Sequence, residues 1–122
     1  AEHELDRERV VLGGFSQGGG LAIWMALHQL TSCTGFIAVA PFLPGVEALL
    51  EQPPSRPSKN LKGYLVTGTL DQHQRMFNQI EQLLRKLQVV YHHEQLANLE
   101  HEYPAHFERS LNQAVRYLLG GT

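Results

Sequence analysis

The sequence predicts an α/β fold: a mostly parallel sheet of about four strands with helices on both faces. Three observations lead there. Short apolar runs recur along the chain, and segments with apolar residues at helical spacing separate them. The first run, Val10-Val11-Leu12, passes through a glycine-rich turn directly into the apolar pattern Leu21-Ala22-Ile23-Trp24-Met25-Ala26-Leu27. The 122 residues, 43% of them hydrophobic, match the size and core content of one domain.

Val10 to Leu12 has the composition of a strand buried on both faces. Residues 17–30 then read as a helix with Trp24 in the core, and Thr31-Ser32-Cys33-Thr34-Gly35 ends it. Phe36 to Ala40 is a second all-apolar strand stopped by Pro41. From Pro41 to Asn60, Pro53, Pro54 and Pro57 argue against regular structure around the short apolar piece Val46 to Leu50. Tyr64-Leu65-Val66 is the third strand. Met76, Phe77, Ile80, Leu83, Leu84 and Leu87 then form the stripe of an amphipathic helix. Val89 to Glu94 is more polar, as befits a sheet edge, and sets His92 and His93 on opposite faces. Pro104 suits the first turn of a last helix, whose buried stripe is Phe107, Leu111, Ala114, Val115 and Leu118 and which Gly120-Gly121 closes.

Composition excludes several classes. A formal charge of -2 with mixed signs gives no footprint for nucleic acid or an anionic membrane surface. No apolar run approaches a membrane span. The charged stretch from Ala1 to Arg9 is no signal peptide and reads as the tail of a surface helix. Cys33 is alone, which excludes an internal disulfide and fits a reducing, cytoplasmic setting; a buried inert thiol is expected.

The chemistry begins at the first turn. Gly14-Phe15-Ser16-Gln17-Gly18 fits G-x-S-x-G between a strand and a helix, the setting that exposes a nucleophilic serine on a sharp, strained turn. A Cβ at Gly14 or Gly18 is expected to crowd the neighbouring backbone. The helix that follows aims its N–H groups and dipole at Ser16 and favours negative charge there. The glycines lack the Lys-Ser/Thr of a phosphate loop. A serine hydroxyl needs a base to take its proton and a carboxylate to orient that base. Candidates occur in the order Ser16, Asp71, His101, with Asp71 after the third strand and His101 after the fourth. All three thus fall at the strands' C-terminal ends. His73 reads as a solvated loop histidine. His101 and His106 are five apart with Pro104 between them, so they do not form a zinc helix motif; neither metal nor cofactor is expected.

Gly14-Phe15-Ser16-Gln17-Gly18-Gly19, Gly68-Thr69-Leu70-Asp71 and Leu99-Glu100-His101-Glu102-Tyr103-Pro104-Ala105-His106-Phe107 resemble the phospholipase/carboxylesterase branch of the α/β-hydrolases, which includes acyl-protein thioesterases. The resemblance runs from about Arg9 to Leu119 and implies Ser16 as nucleophile, Asp71 as acid and His101 as base. It implies an ester or thioester substrate, with the backbone N–H of Gln17 as one oxyanion donor. Glycine commonly precedes the histidine in this family. Here Glu100 stands there, and a side chain at that turn is expected to shift the ring.

In that fold several strands precede the nucleophile strand, and an early strand-to-helix loop gives the second oxyanion donor. Residues 1–122 therefore read as a single, incomplete domain resembling the C-terminal half of a hydrolase. The outer edge of the first strand is expected to be covered by a missing N-terminal segment, a partner chain or a second copy in a homodimer. The competing reading is a truncated or split hydrolase remnant that serves as an interaction module without catalysis.

Overall fold

The computed structural model describes residues 10–30, 32–57 and 59–120. Eight elements follow in order: β1 (Val11–Phe15), α1 (Gln17–Leu27), β2 (Gly35–Val39), α2 (Val46–Glu51), β3 (Lys62–Gly68), α3 (Gln74–Lys86), β4 (Val90–Leu96) and α4 (Phe107–Leu119). The expected fold class holds, with four strands, every pair parallel, in the spatial order β1-β2-β3-β4. The reading of residues 1–9 as a helix tail and of Gly121 as part of the closing turn lies outside the described residues.

A sheet that grows steadily in one direction through crossovers of one hand carries its connecting helices on one face. Accordingly α1, α2 and α3 pack on the face that presents Phe36, Ala38 and Leu65, around Ile23, Leu27, Ile80, Leu83 and Leu84. Only α4, which follows the last strand, folds back on the other face, where Ala114 and Leu118 meet Ile37, Val39, Tyr64 and Val66. Helices thus cover both faces, as the alternating pattern requires.

Several local expectations are corrected. The Pro-rich connection holds a short helix, α2, because Val46 is buried and Leu49 and Leu50 pack against the core; Pro53, Pro54 and Pro57 lie after it. Helix α1 stops at Leu27 and not Leu30, where Gln29 takes a left-handed φ of 56°. Pro104 lies three positions before α4, outside its first turn. Val10, Val11 and Leu12 are half-buried, because β1 is an edge strand among the described residues. Trp24 is not core: it is 37% exposed and its ring lies 4.2 Å from that of His28. On α4 the buried stripe narrows to Ala114 and Leu118, while Leu111 and Val115 are exposed. Cys33 is half-buried against the core.

The polarity of β4 has a cause beyond its edge position. His92 and His93 do face opposite sides. The ring of His92 lies against Tyr64 and Tyr117, while His93 Nε2 is 2.6 Å from the Thr67 hydroxyl and its Nδ1 is 3.3 Å from Glu81. Next along the strand, Glu94 accepts from the Tyr64 hydroxyl at 2.8 Å and from the buried Ser110 hydroxyl at 2.8 Å. These polar residues tie the strand to α3 on one face and to α4 on the other. No buried side-chain polar atom among the described residues lacks a partner, so hydrogen bonds offset the desolvation of the polar strand.

Candidate active site

Parallel register determines where the loops leave the sheet. Phe15 lies beside Val39, Val39 beside Val66, and Gly68 beside Leu96. Residues after β1, β3 and β4 therefore emerge at one end of the sheet, where ligands bind in open α/β folds.

Ser16 stands directly after β1 with φ 55° and ψ -115°, a strained conformation for a residue with a Cβ. Two backbone bonds hold it there: its N–H donates to Val39 C=O at 2.8 Å, and its C=O accepts from Phe42 N–H at 2.8 Å. The turn depends on close backbone approach. A Cβ on Gly14 would collide with the backbone of Gly18, and one on Gly20 with the backbone of Phe42. Gly18 is different from the expectation: a Cβ there points into open space. Steric need for glycine falls on the helix residue that faces the Phe42 loop.

Asp71 follows β3 and its side chain is fully shielded from solvent. The Oδ1 atom accepts from the His73 backbone N–H at 2.9 Å, leaving Oδ2 for the His101 ring. The turn itself is fixed by the Gln74 side-chain amide, which donates to the carbonyls of Gly68 and Asp71 at 2.7 and 2.9 Å.

His101 lies in the loop between β4 and α4. Its Nδ1 is 2.7 Å from Asp71 Oδ2, and its Nε2 is 2.8 Å from Ser16 Oγ. A carboxylate only accepts, so the neutral ring carries its proton on Nδ1 and donates it to Asp71. That leaves Nε2 to accept from the Ser16 hydroxyl. Phe15 flanks the ring with a centroid separation of 5.3 Å and itself stacks on Tyr103 at 4.5 Å. Glu100 does not displace the ring, contrary to expectation: it is exposed and not in the left-handed region that would call for glycine.

The structure thus brings Ser16, Asp71 and His101 together in one hydrogen-bonded chain. The Gln17 N–H opens α1 beside Ser16 and donates to no backbone carbonyl among the described residues. An open depression of about 420 Å³, lined by Phe15, Ser16, Gln17, Phe42 and His73, gives access to the serine. His73 is the residue that sequence reasoning missed. Half-buried, it packs edge-on against His101 at 5.1 Å and against Phe42 at 5.3 Å. Its position two residues after Asp71 was the available signal.

Among known proteins, the chain is 35% identical over 69 residues to acyl-protein thioesterase 1 of Mycosarcoma maydis, a match covering 57% of this chain and 28% of that protein. An uncharacterized protein from Bacillus cereus superposes with a TM-score of 0.80 at 32% identity, over 94% of this chain and 38% of the other. SOBER1 of Arabidopsis thaliana superposes with a TM-score of 0.77 at 18% identity, over 97% of this chain and 56% of the other; it supports the fold alone. This chain therefore spans little more than half, or less, of each of these proteins. The profile of one family, described as phospholipase/carboxylesterase, matches residues 1–119. By that match the chain belongs to the phospholipase/carboxylesterase family.

Proposed function

We propose that this chain carries the catalytic serine, acid and base of a serine hydrolase that cleaves an ester or thioester. The single observation that carries the reading is the continuous run of hydrogen bonds Ser16–His101–Asp71, drawn from three loops at one end of the sheet. In this reading His101 Nε2 takes the proton from Ser16 Oγ as that oxygen attacks the substrate carbonyl. The ring, now protonated on both nitrogens, is held by Asp71, and His101 returns a proton to the leaving alcohol or thiol. Water then repeats the sequence on the acyl-serine: His101 removes its proton, the acid departs and Ser16 recovers its hydroxyl.

The Gln17 N–H at the positive end of α1 is one oxyanion donor. A second, supplied from outside the described residues, completes the site; loss of one such donor costs about 2.7–4 kcal/mol of transition-state stabilisation. The substrate is a small-molecule or acyl ester or thioester, and the reaction needs no cofactor. The site belongs to a single domain whose β1 edge is covered by further chain, a partner or a second copy. The lone Cys33 fits a reducing, cytoplasmic setting, and no helix among the described residues is long and apolar enough to cross a membrane.

The test is hydrolysis of p-nitrophenyl acyl esters by the intact protein. Ser16→Ala is expected to lower kcat/KM by about three to six orders of magnitude. Turnover that survives this change contradicts the assignment of Ser16, and absence of turnover in the unaltered protein favours an interaction module that keeps the turn without the chemistry.

A further inference from the structure

Asp71, His73 and His101 place a carboxylate oxygen and two imidazole nitrogens within 4.8 Å of one another. Two imidazoles and one carboxylate form a donor set that suits Zn²⁺ and its neighbours in the transition series. From this arrangement we propose that the three residues form a site for a divalent transition metal of the Zn²⁺ type. The bound ion is a reversible inhibitor and no part of catalysis.

Each donor has a different role. Asp71 is the fixed anchor: its side chain is shielded, and the His73 N–H holds Oδ1 at 2.9 Å. His101 stands beside the other oxygen at 2.7 Å. The His73 ring is the mobile donor. It is half-buried at the wall of the open depression, and among the described residues its ring Nε2 has a long 3.5 Å contact with the Gln72 amide to give up. Zinc bonds to its donors at about 2.0–2.2 Å, which sets tetrahedral donors roughly 3.3–3.6 Å apart. The 4.8 Å spread must therefore close by about 1.2–1.5 Å, while the 2.7 Å pair opens by about 0.6–0.9 Å. Rotation of the His73 side chain supplies the closure, and solvent water completes the coordination.

Inhibition follows whichever His101 nitrogen binds. Coordination at Nδ1 shifts the neutral ring's one N–H proton from Nδ1, where it bonds Asp71, to Nε2. An Nε2–H cannot take a proton from Ser16. Coordination at Nε2 instead occupies the lone pair that accepts from Ser16 directly. Either way the ion displaces one proton or one hydrogen bond, and no electron changes hands. This consequence rests on the catalytic reading of Ser16 and His101, whereas binding of the ion does not.

The experiment separates the two. Calorimetry with Zn²⁺ is run on the intact protein beside labelling of Ser16 by a fluorophosphonate with and without Zn²⁺. His73→Phe keeps a ring against Phe42 and the backbone N–H on Asp71, and removes only the metal donor. One ion is expected to bind wild type, to block labelling and to be released by EDTA. His73→Phe should weaken binding by more than the roughly 10–100-fold that loss of an outer-shell partner costs. Protection from labelling should be lost in parallel. His101→Ala should also abolish binding, and Ser16→Ala and His106→Ala should retain it. No Zn²⁺ binding, or equal affinity in His73→Phe, overturns the site. Ser16 that never labels in metal-free protein overturns the catalytic reading, while calorimetry still decides the metal site.

Discussion

The N–H of Leu70 donates to the carbonyl of Leu99 at 2.9 Å, joining the turn that carries Asp71 to the turn that carries His101. Two further bonds reinforce the seam: Thr69 N–H to Leu96 C=O at 3.0 Å, and Asn98 N–H to the Thr69 hydroxyl at 2.8 Å. The spacing between acid and base is thus a backbone property. Gly68 makes it possible, because a Cβ there would strike the backbone of Leu99.

Gly68→Ala is therefore expected to separate Asp71 from His101 without altering either. A displacement of about 1 Å is enough to cost about 10²-fold in rate. Steady-state kinetics should show the loss in kcat, with a folded protein by circular dichroism. Unchanged kcat would mean that the seam does not set the site.

Among the histidines, His101→Ala should cut turnover by orders of magnitude, whereas His106→Ala should be mild. His106 is exposed and, among the described residues, pairs with Glu108 at 3.5 Å. Parallel kcat/KM measurements on the two variants check this. The reverse order of effects would assign the base to the wrong residue.

Much of this was legible in the sequence, and the reason is local. Strand, turn and helix around Ser16 are encoded by contiguous residues, and parallel strands place Asp71 and His101 at the same end whatever their exact boundaries. Burial was less legible. Trp24, Leu111 and Val115 read as core because apolar spacing identifies a face without saying what covers it. Gly18 and Gly20 exchanged roles because the obstacle, the Phe42 backbone, comes from a loop that periodicity does not place. His73 was missed because its contacts with His101 and Phe42 exist only after three loops converge.

The network on the α4 face makes a stability prediction. Burial, reinforced by the hydrogen bond to Glu94, holds the Tyr64 phenol well above its usual range, and burial also raises Tyr117. A folded-state value above the unfolded one means that the contribution is complete below the unfolded value of about 10. It is lost as pH rises from there through the folded value. Denaturant unfolding should show a steep loss of stability above about pH 10, smaller in Tyr64→Phe. At neutral pH Tyr64→Phe should cost about 1.5–3 kcal/mol, since Glu94 loses a hydrogen bond from a buried donor. No neutral-pH loss would show that Ser110 and solvent satisfy Glu94 alone.

Strand β1 makes a prediction about association. Its outer edge pairs with nothing among the described residues, and Leu21, Trp24, Leu111 and Val115 are exposed on the flanking helices. An uncovered apolar edge templates pairing with another strand. The 122-residue chain by itself is expected to self-associate in size-exclusion chromatography with light scattering. A well-behaved monomer would contradict this.

If Ser16 is the nucleophile, its hydroxyl is where an active-site-directed phosphonylating reagent reacts. The intact protein is treated with a fluorophosphonate, digested and mapped by tandem mass spectrometry. A single adduct is expected on Ser16 Oγ, absent in Ser16→Ala and formed far more slowly in His101→Ala. An adduct on any other residue, or labelling that persists in Ser16→Ala, would contradict it.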